Sequence, residues 1–113
     1  MIAAGACLVL SVPVAAWATT ATTTGAKAET VGQYKVKVTD TAADNHAAWA
    51  YFYTNQLAPQ TQYNVVTHDG NGSSKSSGTM ANTIERISAC AKNNNPFDAN
   101  KCSSYVNTGF PRK

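Results

Sequence analysis

The chain has 113 residues, nine of them lysine or arginine and six acidic, with 13% of positions charged in all. That length fits one domain. The formal charge of +3 is spread along the chain without a basic block, so nucleic acid is excluded as the expected partner.

From Ile2 to Trp17 no residue is charged, and the run from Cys7 to Ala16 is mostly apolar. It is shorter than the roughly 18 residues that a membrane-spanning helix needs, and it ends in small residues at Ala16-Trp17-Ala18. These features read as a hydrophobic region with a cleavage site, a signal peptide over 1–18. A second such triplet, Ala26-Lys27-Ala28, gives an alternative end at 28, and no Lys or Arg precedes the apolar run. A buried N-terminal strand or a membrane anchor is the competing reading. Cys7 precedes the apolar stretch, so it is not a lipid-modified first residue and leaves with the signal. The expected product is secreted and extracellular, with no membrane span after signal removal.

Removing the signal leaves 85 to 95 residues, depending on which triplet is cut. A domain of this size buries only about 60–65% of its unfolded surface, so a covalent staple helps it. Cys90 and Cys102 remain, and an even count in an exported chain predicts a disulfide. Closing a loop of about a dozen residues contributes roughly 3 kcal/mol in the chain-entropy treatment. Free thiols and a zinc site are the weaker readings, the latter for want of a second cysteine pair or spaced histidines.

Residues 19–32 are rich in Thr and Ala without an evident period and read as a flexible lead. The β-domain is expected over 33–107. Tyr34, Val36 and Val38 alternate with Lys35, Lys37 and Thr39, the period of a strand with one wet face. Asp40 to His46 is a connection, since Asp and Asn bond back to their own backbone. Along Ala47–Thr54, Trp49, Tyr51 and Tyr53 share one face and Ala48, Ala50 and Phe52 the other, which favours a central strand. Gln62–His68 is a third strand, after a loop containing Pro59.

Asp69-Gly70-Asn71-Gly72-Ser73 supplies the positive φ angles of a tight hairpin, returning through a short polar edge strand over 74–79. Residues 83–91 fit both a helical stripe and a strand face. The strand is preferred, with a bulge near Glu85 and Arg86. An Asn-rich loop over 93–98 leads to a last strand, 102–107, and the tail 108–113 is expected to fray. The fold class is therefore all-β: a small antiparallel sandwich or barrel of five to six strands with one disulfide.

Five segments together resemble a group of short secreted β-rich proteins of streptomycetes and related actinobacteria. They are Val36–Asp44, Trp49–Phe52, Asp69–Ser73, Thr83–Cys90 and Cys102–Val106. Members carry an Asp-Thr-x-x-Asp turn after the first strand, an aromatic second strand, a Gly-Asn-Gly hairpin and a closing Cys-loop-Cys. The resemblance spans most of residues 34–107 and implies a secreted β-fold with a Cys90–Cys102 bridge, and no chemistry. Many members have a further cysteine pair. Here Val38 or Thr39 and the stretch Ser73–Ser77 stand in those places.

Candidate chemistry is sparse. His46, His68, Asp40, Asp44, Asp69 and Glu85 are the titratable candidates, and Ser73 the nearest nucleophile to His68-Asp69. Neighbours on a strand point to opposite faces, and no Gly-x-Ser-x-Gly elbow exists, so catalysis is not expected. Asp69-x-Asn71-x-Ser73, helped by Asp40 and Asp44, offers alternating oxygens for calcium, but turn chemistry explains the same residues. Asn71-Gly72-Ser73 also matches a glycosylation triplet. No metal or cofactor is assigned. Trp49, Tyr51, Tyr53, Tyr63 and Tyr105 form either one face of the core or a platform for a partner. The expected function is a secreted non-enzymatic binding or structural module, its partner an extracellular protein or polysaccharide. The alternative is a small effector: a toxin, an antimicrobial or an enzyme inhibitor.

Overall fold

A computed structural model describes residues 18–42, 46–68, 70–92 and 100–111. Residues 1–17 of the expected signal peptide 1–18, Asp44, Asp69 and the whole Asn-rich loop 93–98 lie outside the described residues. Among the described residues, nine short strands form the fold: β1 Thr20–Thr23, β2 Ala26–Val31, β3 Lys35–Asp40, β4 Ala48–Thr54, β5 Tyr63–Thr67, β6 Ser74–Ser76, β7 Ile84–Ala91, β8 Lys101–Cys102 and β9 Val106–Asn107. One sheet runs β1-β2-β3-β6, and the other runs β5-β4-β7 with β8 and β9 both on the far side of β7. All pairings are antiparallel. The two sheets pack face to face as a sandwich, so the barrel alternative falls away.

The core follows from the period-two pleat. Ala21, Ala26, Ala28, Val36 and Val38 face inward from the first sheet, and Ala48, Ala50, Phe52, Val65, Ile84, Ile87, Ala89 and Ala91 from the second. Alanine and valine dominate, and Phe52 and Phe110 are the large rings buried in this cluster. Gly25 turns the β1–β2 hairpin with φ +95°, and a Cβ there would meet the Ala91 Cβ at 3.1 Å. Both its conformation and its packing require glycine.

Four expectations are corrected. Residues 19–32 are not a flexible lead: Thr20–Thr23 and Ala26–Val31 are paired strands whose alanines are buried. The period was present, carried by alanine, which is small and a weak strand former. The alternative cleavage site after Ala28 falls inside β2, and a cut there would remove β1 and three core alanines.

The expected tight hairpin does not join β5 to β6: the two strands belong to different sheets, and Gly70–Ser73 forms part of an arch between them. Gly70 and Gly72 do take positive φ, and Gly72 N–H donates to the Asp40 carbonyl at 2.7 Å while Asp40 N–H donates to the Ser73 carbonyl at 2.9 Å. The arch is thereby tied to the end of β3.

The tail is not frayed through Pro111. Phe110 is buried against the core, and the Thr108 hydroxyl donates to the Ile84 carbonyl at 2.7 Å. The expected last strand is split into β8 and β9, which raises the strand count above the six anticipated.

Other expectations hold. β4 is central, β6 is a polar edge, and Tyr53 pairs with Arg86 while Thr54 pairs with Ile84, which leaves Glu85 as the bulged residue. Cys90 and Cys102 sit opposite each other on β7 and β8 and are joined by a disulfide. No helix of the described residues is long and apolar enough to cross a membrane.

Candidate functional site: the outer face of the second sheet

Because Ala48, Ala50 and Phe52 fill the thin core, the alternating Trp49, Tyr51 and Tyr53 must face outward. The register sets their neighbours. Trp49 lies between Val66 and Cys90, Tyr51 between Asn64 and Ser88, and Tyr53 beside Arg86. The bridge to Cys102 therefore lies on this same face.

The segment between β8 and β9 folds back to complete the row. Ser103 N–H donates to the Ala89 carbonyl at 2.8 Å, and the Ser88 hydroxyl donates to the Ser103 carbonyl at 2.8 Å. Tyr105 is thus brought to Tyr53, ring centroids 5.6 Å apart and tilted by 60°.

The Arg86 guanidinium lies 4.0 Å from the Tyr53 ring centroid and 5.4 Å from that of Tyr105. A cation held over a ring face is attracted by its quadrupole. Glu85 holds it from the side at 3.2 Å and also accepts from Gln60 Nε2 at 2.7 Å. Gln62 Nε2 donates to the Tyr105 hydroxyl at 2.9 Å. Burial pushes the Tyr105 phenol above its ordinary value of 10.0, against the lowering effect of the Gln62 hydrogen bond. Trp49 and Tyr51 meet edge to face, 6.4 Å apart at 80°. The Trp49 indole N–H is buried and has no hydrogen-bond partner among the described residues.

Of the five aromatic residues singled out in the sequence, four join this face and one does not. Tyr63 points the other way, stacked on Phe52 at 5.6 Å with its hydroxyl donating to Gln56 Oε1 at 3.2 Å. Arg86 was the residue missed. Its signal was the bulge, which shifts the register and sets it opposite Tyr53.

Asp40, His68 and Glu85, three of the titratable candidates, do not come together, and Asp44 and Asp69 lie outside the described residues. Asp40 is buried at the end of β3, 1% exposed, with Oδ1 accepting from Ala42 N–H at 3.0 Å and Oδ2 without a hydrogen-bond partner among the described residues. His68 is exposed just past β5, and Glu85 sits near the opposite end of β4, about 20 Å away along the strand. The Ser73 hydroxyl is engaged with that of Thr67 at 2.8 Å. Among the described residues no three metal-ligating side chains gather, and no pocket opens. Compared with family models, with curated proteins and with solved structures, the chain matches none.

Proposed function

We propose that the chain is a secreted, non-enzymatic module that binds a protein through the outer face of its second sheet. The carrying observation is the Arg86 guanidinium fixed over Tyr53 beside Tyr105, in line with Tyr51 and Trp49. Trp, Tyr and Arg are the residues that dominate binding energy at protein interfaces. A flat surface without a cleft suits a macromolecular partner better than a small molecule. Polysaccharide is the weaker partner because stacking on sugar rings needs open, coplanar aromatic faces. Here Trp49 and Tyr51 stand at 80° and Arg86 covers Tyr53. The Cys90–Cys102 bridge fits the oxidising compartment that this reading requires.

One observation favours the effector alternative. Leu57 is 77% exposed on a loop braced at both ends. Gln56 Nε2 donates to the Pro59 carbonyl at 3.1 Å, and Asn55 N–H donates to the Thr83 carbonyl at 2.8 Å. A preorganised loop lowers the entropy lost on docking, as an enzyme inhibitor needs.

Panning a displayed random-peptide library on the secreted chain tests the proposal, with sedimentation on cellulose, chitin and peptidoglycan as the carbohydrate arm. Peptide ligands are expected that bind Arg86→Ala and Tyr105→Ala at least about tenfold more weakly. With residues 1–18 removed, Trp49 is the only tryptophan, so its fluorescence reports the face directly. Ligands indifferent to both substitutions, or a polysaccharide whose binding Trp49→Ala abolishes, overturn the proposal. Ligands lost only in Leu57→Asp support the effector reading instead.

A further inference from the structure

The sandwich has four open edges, and they are not equally defended. Exposed strand edges invite pairing with another chain, and proteins blunt them with charge, brevity or interruption. β8 and β9 are two residues each and interrupted between. β1 is four residues of threonine and alanine. β6 is three residues, fully exposed, and carries Lys75. β5 has none of these defences. It reads Tyr-Asn-Val-Val-Thr, uncharged and strand-forming, and pairs with β4 along its full length. Beyond that ladder, no backbone group of Tyr63–Thr67 has a hydrogen-bond partner among the described residues.

What lies beside this edge defines an occupant. Lys75 pairs with Val38 in register, so the pleat puts it on the face turned toward the second sheet. Even so it is exposed, as are Ser74 and Ser76, which means that the inner side of β6 is uncovered. β5 packs across β3 and next to β6. A strand added beyond β5 would lie under β6, with alternate side chains facing Lys75 and the others continuing the outer face beside Asn64 and Val66. Lys75 makes no ion pair among the described residues.

We propose that β5 receives an extended segment of the protein partner as an added strand, and that an acidic side chain of that segment pairs with Lys75. Main-chain hydrogen bonds supply affinity in such augmentation, and alternate side chains supply specificity. A second copy of this chain is the poorer occupant. Pairing β5 with itself would bring a second Lys75 to the same edge, and neither β5 nor β6 carries an acid to meet it. The inference rests on the binding-module reading and names the form and charge of what is bound.

The test uses the secreted chain and two synthetic nonapeptides. One alternates valine with glutamate and threonine, and the other has lysine in place of each glutamate. The acidic peptide is expected to slow amide exchange over Asn64–Thr67 and to bind at least tenfold more tightly than the basic one. Lys75→Glu should invert that preference, and Asn64→Lys, which blunts the edge, should abolish binding of either peptide. Asn64 and Lys75 are both exposed, so the variants fold, as circular dichroism will verify. Equal binding of the two peptides, protection confined to other strands, or indifference to both substitutions overturns the inference. So does a dimer of the chain that Asn64→Lys dissolves. Library ligands that still need Arg86 and Tyr105 but tolerate Asn64→Lys defeat this inference while leaving the aromatic face standing. Acidic-peptide binding that needs Asn64 and Lys75 but ignores both Arg86→Ala and Tyr105→Ala has the reverse effect.

Discussion

The two outer faces of the sandwich share one core and differ in nearly everything else. On the first sheet, Glu29 lies between Lys27 at 3.3 Å and Lys37 at 3.7 Å, and the hydroxyls of Thr39 and Ser74 meet at 2.8 Å. These are the residues that solvent accommodates without help. On the second sheet the same positions of the pleat carry Trp49, Tyr51, Tyr53 and Arg86. Folding requires only that one side of each strand be apolar, and that requirement is met inside by alanine, valine, Phe52 and the isoleucines. The outward aromatics are surplus to it. That surplus is the physical reason for assigning binding to this face and plain solvation to the other.

The sharpest way to break the contrast is through its covalent bond, since the bridge lies on the aromatic face only. Cys90 and Cys102 are 12 residues apart in sequence. Releasing the bridge should lower unfolding free energy by about 3 kcal/mol. The measurement is the urea midpoint with and without reductant. A drop well under about 1 kcal/mol would mean that the bridge does not carry the load expected of a small alanine-rich core.

The charged face should answer far more weakly. Glu29→Gln removes both ion pairs of the first sheet, yet exposed pairs contribute only about 0.2–1 kcal/mol each. The expected loss is at the low end of that range and should fade in concentrated salt, because the charges are screened. A loss as large as the bridge's, or one that salt leaves untouched, would show that the ladder is structural and dissolve the contrast between the faces.

Which parts of this were legible beforehand follows from side-chain size. β3, β4 and β5 announced themselves because valines and aromatics marked the period, and the bulge at Glu85 followed from an apolar pattern that slipped by one residue. β1 and β2 obey the same period, but their buried positions are Ala21, Ala26, Ala28 and Thr30, which carry too little apolar contrast to be seen. Phe110, between Gly109 and Pro111, fell in the tail expected to fray and instead closes the core. For the site, the aromatic row on β4 was visible, but its outward direction was not. Direction depends on how thin the core is, and that depends on alanines contributed by distant strands. The arrival of Arg86 and Tyr105 at Tyr53 needed the bulge together with the β8–β9 fold-back, and the fold-back sets no residue spacing in the chain.

The smallest effect is also the most local, and it reads the aromatic face without any partner. Tyr105 is 39% exposed, yet its burial is enough to hold its phenol above the ordinary 10.0. The Gln62 amide pulls the other way, because a donor to the phenol oxygen favours the phenolate. Gln62→Ala should therefore move the Tyr105 titration further up. Arg86→Ala should do the same by removing a nearby cation. The folded state holds this proton longer than the unfolded chain does. Its contribution to stability is present below about pH 10 and is lost as pH rises through the folded value. Ultraviolet difference spectra of the wild type against Tyr105→Phe isolate this group from Tyr34, Tyr51, Tyr53 and Tyr63. If Gln62→Ala lowered the Tyr105 titration, or if neither Gln62→Ala nor Arg86→Ala moved it, the packed cluster around Tyr53 would not exist in solution. The contrast between the two faces would then lose its more distinctive half.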